Sequence, residues 1–299
     1  MVYVLDSNFL AITAIVTVAY QVTFFIIAWS FKFDKVTDFA GGTNFVVLAI
    51  LTFFLGATWH ARQIVLTLFV IVWGVRLGGF LLMRILQWGA DTRFDETREN
   101  FWKFAAFWVF QAIWVFTVSL PLTIVNATLR NPSLGAADYV GWVMWGVGFL
   151  FEVFADQQKL NFKKDRANKG RWCDVGVWGY SRHPNYFGEL MMWWGIFVSS
   201  TRVLHKGQWA AVLGPITITI ILLFLSGIPL LEASADKNHG GKPEYALYKR
   251  RTSPLIPLPP ALYKRLPGWA KLVFLFELPL YNSKLEPTKE SLQAGGDAV

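Results

Sequence analysis

Residues 10–31 read LAITAIVTVAYQVTFFIIAWSF, a run without one charged side chain. A helix needs about 20 mostly apolar residues to cross the hydrocarbon core of a bilayer, so this run is long enough to span. It is too long for the apolar core of a cleavable signal, and Met1 to Asn8 place no Lys or Arg ahead of it. A first span retained in the mature protein is therefore expected. The reading repeats downstream at 43–60, 63–83, 102–127, 137–156, 186–202 and 208–231, the fifth and sixth runs carrying polar residues at their ends. Inside lipid every backbone polar group must find an internal partner, which makes helices the natural spanning element. The expected fold class is all-α: a polytopic membrane protein with about seven transmembrane helices.

Composition points the same way. Of 299 residues 54% are hydrophobic and only 16% are charged, against about a quarter charged in a soluble domain. The net charge of +8 is distributed one-sidedly. Lys32 and Lys35 lie in the first connection, Arg84, Arg93, Arg98 and Lys103 in the third, and Lys159, Lys163, Lys164, Arg166, Lys169, Arg171 and Arg182 in the fifth. The other side offers only Arg62, Arg130, Arg202 and Lys206. The positive-inside rule then predicts a lumenal or outside N-terminus and a cytoplasmic C-terminus. The basic balance is read as topology, and no nucleic-acid partner is expected. An integral membrane location follows: endoplasmic reticulum in a eukaryote, inner membrane in a bacterium. With one cysteine, Cys173, and four scattered histidines, neither a disulfide framework nor a metal site is expected. The sequon at Asn126 falls so near the end of the fourth run that it is expected to go unused.

The chain divides by pattern into 1–136, with four spans; 137–262, where spans five to seven meet the polar motifs; and a tail, 263–299. Polar residues gather at the cytoplasmic ends of the later spans. The densest cluster is Gly179 to Glu189, with Tyr180, Ser181, Arg182, His183, Asn185, Tyr186 and Glu189 directly before the apolar run from Leu190. Ionisable groups at the mouth of a span are expensive and usually mark a site. A belt of interfacial anchors would account for Arg182 and the tyrosines, but not for His183, Asn185 and an acid one turn further in. Asn185 and Glu189 lie four apart on one helical face, able to read a carboxamide or ribose edge, and Arg182 precedes them as a partner for pyrophosphate.

Three further groupings stand out. Glu152, Asp156, Lys159 and Lys163 recur at helical spacing, and Lys163, Lys164, Arg166 and Lys169 suit phosphates. The bland alternative there is an ion-paired, solvated extension of the fifth span. From Glu232 onward come Asp236, Lys237, His239, Lys242, Tyr245, Tyr248 and Lys249-Arg250-Arg251, before prolines 254, 257, 259 and 260 stop any helix. A basic tail held to anionic headgroups would fit Lys249 to Arg251 but not the tyrosine pair. Arg76 lies within the third span, followed by Arg84, Asp91, Arg93 and Asp95, and an arginine at that depth needs a partner or a cavity. No GxGxxG opens a helix, so any dinucleotide would be held without a Rossmann fold.

The stretch Arg182-His183-Pro184-Asn185-Tyr186-Phe187-Gly188-Glu189 resembles the signature of membrane sterol reductases, and its Asn-x-x-Gly-Glu core is similar to that of steroid 5-alpha-reductases. Gly241 to Tyr248, with Ile256-Pro257, resembles the tyrosine-rich C-terminal segment of the same enzymes, so the likeness covers roughly 152–257. It implies a membrane-embedded reductase that uses NADPH to reduce a carbon–carbon double bond in a hydrophobic lipid of sterol or enone type. Carried over by position, it implies cofactor-binding roles for Asp156, Lys163, Arg182, His183, Asn185, Tyr186, Glu189, Tyr245 and Arg251. Tyr186, Tyr245 and Glu152 are the candidate proton donors. Sterol reductases have an arginine just before the acid near Glu232, where this chain has Leu231. The early-span acid and tyrosine that 5-alpha-reductases direct at a substrate carbonyl have no counterpart that can be aligned here. Isoprenylcysteine carboxyl methyltransferases share part of the signature and bind S-adenosylmethionine. Their expected tandem Glu-Glu is missing, because Ala233 follows Glu232. A lipid transporter or binding protein with no catalysis is the remaining alternative.

Overall fold

The computed structural model describes residues 4–31, 36–88 and 99–281, and there is no β-strand among them. The long helices are α1 Leu10–Ser30, α2 Val36–Gly56, α3 Ala61–Trp88, α4 Phe101–Ala127, α5 Ala136–Lys164 and α6 Pro184–Ser200. Shorter ones follow: α7 Leu213–Ile220, α8 Ile228–His239, α9 Pro243–Arg251, α10 Pro260–Arg265 and α11 Gly268–Leu275. Among the described residues five stretches are long and apolar enough to cross a membrane: Leu10–Ser30, Phe39–Gly56, Ala61–Leu81, Phe101–Ala127 and Lys206–His239. Helix α5 carries Asp138, Glu152, Asp156 and a lysine-rich end within its 29 residues, and α6 has only 17.

The last of the five stretches is not one regular helix. A 3₁₀ segment Lys206–Val212 leads into α7, a π-turn Ile221–Leu225 follows, and the chain breaks at Gly227 before α8. Pro229 accounts for the break, since it sits in the first turn of α8, where its missing N–H costs nothing. The Gly227 backbone lies so close to Leu222 that a Cβ there would meet its Cα at 2.7 Å. The run expected to be a continuous span over 208–231 is thus divided, and Glu232 falls in the first turns of a new helix.

The chain forms two compact units, one of residues 1–145 and 193–218 and the other of 146–192 and 219–299. In the first, the interhelical contacts are aromatic and amide-rich. Ala28, Ala40, Phe104 and Trp108 form one buried cluster, surrounded by Tyr20, Phe24, Phe25 and Phe107. Buried amides tie the helices together: Gln21 Nε2 donates to Asn44 Oδ1 at 3.0 Å, Gln111 Nε2 to the Thr37 carbonyl at 2.9 Å, and Gln63 Nε2 to the Val125 carbonyl at 3.1 Å. Such bonds add roughly 0.6 kcal/mol each between membrane helices. Asn126 of the sequon is buried and donates to Thr52 Oγ1 and Thr67 Oγ1, so its amide is committed inside the bundle. Arg76 lies over the Phe80 ring, 5.8 Å from the centroid. Asp91, Arg93 and Asp95 lie outside the described residues, as does the expected tail beyond residue 281.

In the second unit, α5 and α6 meet backbone to backbone at Gly148 and Gly188. A Cβ on Gly188 would run into the Gly148 carbonyl and lie 2.8 Å from the Glu152 nitrogen, and one on Gly148 would lie 2.8 Å from Met191 Cβ. Phe151 and Phe187 close the contact edge to face at 5.1 Å. Small residues that admit close backbone approach are the usual currency of helix association in lipid. Gly188→Ala is expected to cost ~1–3 kcal/mol through overpacking, read as a lower melting temperature of the detergent-purified protein. An unchanged midpoint would mean that the helices part freely.

Candidate functional site

The polar motifs converge on one cleft in the second unit. Four segments build it. The end of α5 supplies Lys159, Phe162 and Lys163; the connection to α6 supplies Arg171, Trp172, Cys173, Trp178, Arg182 and His183; α8 supplies Glu232, Asn238 and His239; and α9 supplies Tyr245 and Tyr248. Its volume is about 240 Å³. The α5 end is helical past the apolar run because its acids and lysines alternate at helix spacing. The connection is pinned to that helix: Trp178 Nε1 donates to the Ala155 carbonyl, and the Val177 N–H donates to Gln158 Oε1, both at 2.9 Å. Lys159 sits over the Trp178 ring, 4.3 Å from its centroid. Tyr248 locks the turn from the other side, donating to the Trp178 carbonyl at 2.8 Å.

The floor is a buried ionic network. Glu232 accepts from His183 Nε2 at 2.7 Å, faces Arg182 Nε at 3.2 Å and meets Lys249 Nζ at 2.9 Å. Lys249 also donates to both Asp236 oxygens, at 2.8 and 3.0 Å, and to the Tyr281 carbonyl at 2.9 Å. Arg182 extends the network outward, donating through Nη2 to Glu277 at 2.9 Å and through Nη1 to the Lys249 carbonyl at 3.2 Å. Glu277 in turn accepts from the Tyr263 hydroxyl. Two cations therefore face three carboxylates. Burial would strip Arg182 of its proton, but Glu232 and Glu277 outweigh it and hold the guanidinium well above its usual pKa. For His183 burial wins over the hydrogen bond to Glu232, so the imidazole titrates below its ordinary value and is neutral at pH 7.

Above the floor the walls are aromatic. Trp172 packs against Tyr245, His239 and Tyr248 with centroids 5.2, 5.7 and 6.1 Å apart. Burial, helped by the Glu232 and Asp236 carboxylates, pushes the Tyr245 hydroxyl far above its normal range, and it donates to Asp236 Oδ1 at 3.1 Å. Three buried ring nitrogens of lining residues, Trp172 Nε1, His183 Nδ1 and His239 Nδ1, have no hydrogen-bond partner. Buried polar groups without partners are rare and call for an explanation. The rim carries Lys159, Lys163 and Arg171, the last two exposed. Burial raises the Cys173 thiol, which favours its protonated, unreactive form.

Of the residues given site roles from sequence, Lys163, Arg182, His183 and Tyr245 line this cleft, and so do Lys159, Glu232, His239 and Tyr248 of the wider groupings. Arg182 does so with its guanidinium nitrogens facing Glu232, Glu277 and the Lys249 carbonyl. Asn185, Tyr186 and Glu189 lie along the first turns of α6 and do not line the cleft, although Tyr186 stacks on His183 with centroids 5.8 Å apart and the buried Asn185 Oδ1 has no partner. Glu152 is buried on α5 beside Gly188, Asp156 is half-buried one turn on, and Arg251 ends α9 half-buried. None of these three lines the cleft. Lys249, which a headgroup-bound tail would expose, is instead buried. The partners of Arg182 escape any spacing argument, because it reaches Glu232, the Lys249 carbonyl and Glu277 across 50 to 95 positions of sequence. The visible hint was an acid closing the last apolar run. Among the described residues no group of His, Cys, Asp and Glu is arranged to hold a metal.

A family model described as "Protein of unknown function (DUF1295)" matches residues 24–252. No curated protein and no solved structure matches the chain.

Proposed function

For a chain that belongs to the DUF1295 family, we propose the activity of a membrane-embedded, NADPH-dependent reductase acting on a carbon–carbon double bond of a hydrophobic lipid, sterol-like or enone. The cleft carries this reading: aromatic walls, unpartnered ring nitrogens and a cationic rim over one buried floor, to which the reductase-like stretch contributes Arg182 and His183. In this reading α5 and α6 also cross the bilayer, giving seven spans, a lumenal N-terminus and a rim that opens to the cytoplasm.

The donor set fits a phosphorylated ring-bearing cofactor. Lys159, Lys163 and Arg171 are suited to phosphates as point-charge and bidentate partners. Trp172, Tyr245 and Tyr248 offer faces for a base, and Trp172 Nε1 a donor for it. Volume sets a bound: about 240 Å³ is less than the roughly 300–1,000 Å³ of a full ligand pocket. The cleft therefore encloses a nucleotide-sized part, and Asn185 and Glu189, carried over from the resemblance, would meet the nicotinamide end beyond it. S-adenosylmethionine has no phosphate, so the rim disfavours it.

When bound, NADPH supplies the hydride. The chain supplies orientation, exclusion of water and a proton at the second alkene carbon. Tyr245 is a poor choice for that proton, because its raised pKa and its bond to Asp236 oppose release, whereas a catalytic acid works best with a pKa near the operating pH. Tyr186 and Glu152 remain the candidates.

The test is the melting temperature of the purified protein with NADPH, NADH or S-adenosylmethionine. A ligand at a hundred times its Kd stabilises by about 2.7 kcal/mol. Stabilisation by NADPH alone is expected, and the charge reversals Lys163→Glu and Arg171→Glu should each weaken it about tenfold, the worth of one charge-assisted hydrogen bond. A shift with S-adenosylmethionine alone would move the chain to the methyltransferase branch. No shift with any of the three would favour a binding or transport role.

A further inference from the structure

Residues 260–276 form a surface that the cleft does not use. Helices α10 and α11 turn inward with Tyr263, Ala270 and Leu275. Their other side is large and apolar: Trp269 is 64% exposed, Phe274 61%, Val273 58% and Leu262 49%. An isolated exposed leucine needs no explanation, but a contiguous apolar patch marks an interaction surface. Helix α11 has eight residues, about 12 Å at 1.5 Å per residue, far short of the ~30 Å needed to span. The patch therefore does not belong to a membrane-crossing helix.

Its charge identifies what covers it. From Pro260 to Phe276 the chain carries Lys264, Arg265 and Lys271 and no acid. Lys264 and Arg265 are exposed beside the apolar face, while Lys271 folds back over the Tyr263 ring at 4.5 Å. The next acid in the chain, Glu277, is turned inward to Arg182 and Tyr263. Aromatic and aliphatic side chains flanked by cations, with the acid withdrawn, match an anionic lipid leaflet. The apolar face enters the acyl boundary, the indole sits at headgroup level, and each cation adds attraction to an anionic surface. The rest of the chain is already committed to a bilayer by its five apolar stretches.

We propose that residues 260–276 are a monotopic anchor lying in the surface of an anionic leaflet. The anchor is rigidly tied to the cleft floor. Phe276 adopts a left-handed backbone (φ 59°), the Glu277 N–H bonds back to the Lys271 carbonyl at 3.0 Å, and the Glu277 side chain then reaches Arg182. The anchor's seat in the leaflet is thus fixed relative to the ionic network through a single reversed turn.

Spin-label depth measurement tests this without any cofactor, so its failure is distinct from failure of the reductase reading. In a Cys173→Ser background, a label is placed by Phe274→Cys or, independently, Val273→Cys, with Arg250→Cys as the exposed control. Each protein is reconstituted in nanodiscs with and without anionic lipid. Labels at 273 and 274 are expected to collide several-fold more with oxygen than with a water-soluble nickel complex, more so with anionic lipid, while 250 shows the reverse. Nickel access at 273 and 274 equal to that at 250 would overturn the proposal. So would protection from both reagents, which would mean that protein rather than lipid covers the patch. If one substitution fails to fold, the other carries the test.

Discussion

Glu232→Ala is expected to lower the stability of the second unit by ~3–5 kcal/mol, enough to leave much of the protein unfolded in detergent. The reason is charge: one carboxylate answers two cations, Arg182 at 3.2 Å and Lys249 at 2.9 Å, and also accepts from the His183 ring at 2.7 Å, all buried. Removing one partner of a buried ion pair strands the other charge in a poorly polarisable interior, and that is the costly case. Glu232→Gln should fall between, because it keeps one acceptor oxygen while losing the charge. Thermal unfolding followed by tryptophan fluorescence ranks the three. A midpoint for Glu232→Ala within a degree or two of the parent would mean that the network contributes little, and that the cleft floor is held by packing alone.

The comparable experiment in the first unit concerns Asp138, which is wholly buried at the start of α5. It takes Arg62 Nε at 2.6 Å and Nη2 at 2.9 Å, the Gly135 N–H at 3.0 Å and Ser199 Oγ at 3.0 Å. Asp138→Ala leaves the buried Arg62 guanidinium with only the Pro132 carbonyl at 3.3 Å, so a loss of ~3–5 kcal/mol is again expected. Asp138→Asn retains one acceptor oxygen, for either the Gly135 N–H or the Ser199 hydroxyl, and should cost less. Ligand-induced stabilisation measured on whatever folded protein survives should be unchanged, since this clamp lies apart in the chain from every cleft residue. If the two substitutions proved equally damaging, charge would not be what matters there.

The contrast between what the sequence disclosed and what it hid has a physical basis. Hydropathy located α1 and α4 to within a residue, because a long uncharged run has no alternative to a helix in lipid. The apolar run stopped at 156 while α5 continues to Lys164, because solvated turns with Glu and Lys at helix spacing, visible as Glu152, Asp156, Lys159 and Lys163, continue a helix that an apolar window cannot see. Hydropathy overlooked the interruption at Ser226-Gly227, where Pro229 restarts the chain; a hydropathy average is blind to one proline. At the cleft, local motifs announced Lys163, His183 and the tyrosines of α9. The partners that bury Arg182 come from α8 and from beyond α11, and contacts made across such intervals leave no local periodicity to read. Gly148 and Gly188 were equally silent, since a glycine's reason for being there is the backbone opposite.

One feature of the cleft bears on how such a chain can change over time. Its charges occupy two layers with unequal freedom. The floor is a closed set of mutual obligations in which altering Arg182, Glu232 or Lys249 strands the others, so it can be revised only by several coordinated replacements. Lys163 and Arg171 at the rim are exposed, and single surface substitutions usually shift stability by no more than about 0.5 kcal/mol. A lineage built on this scaffold can therefore revise its rim one residue at a time while inheriting the floor intact.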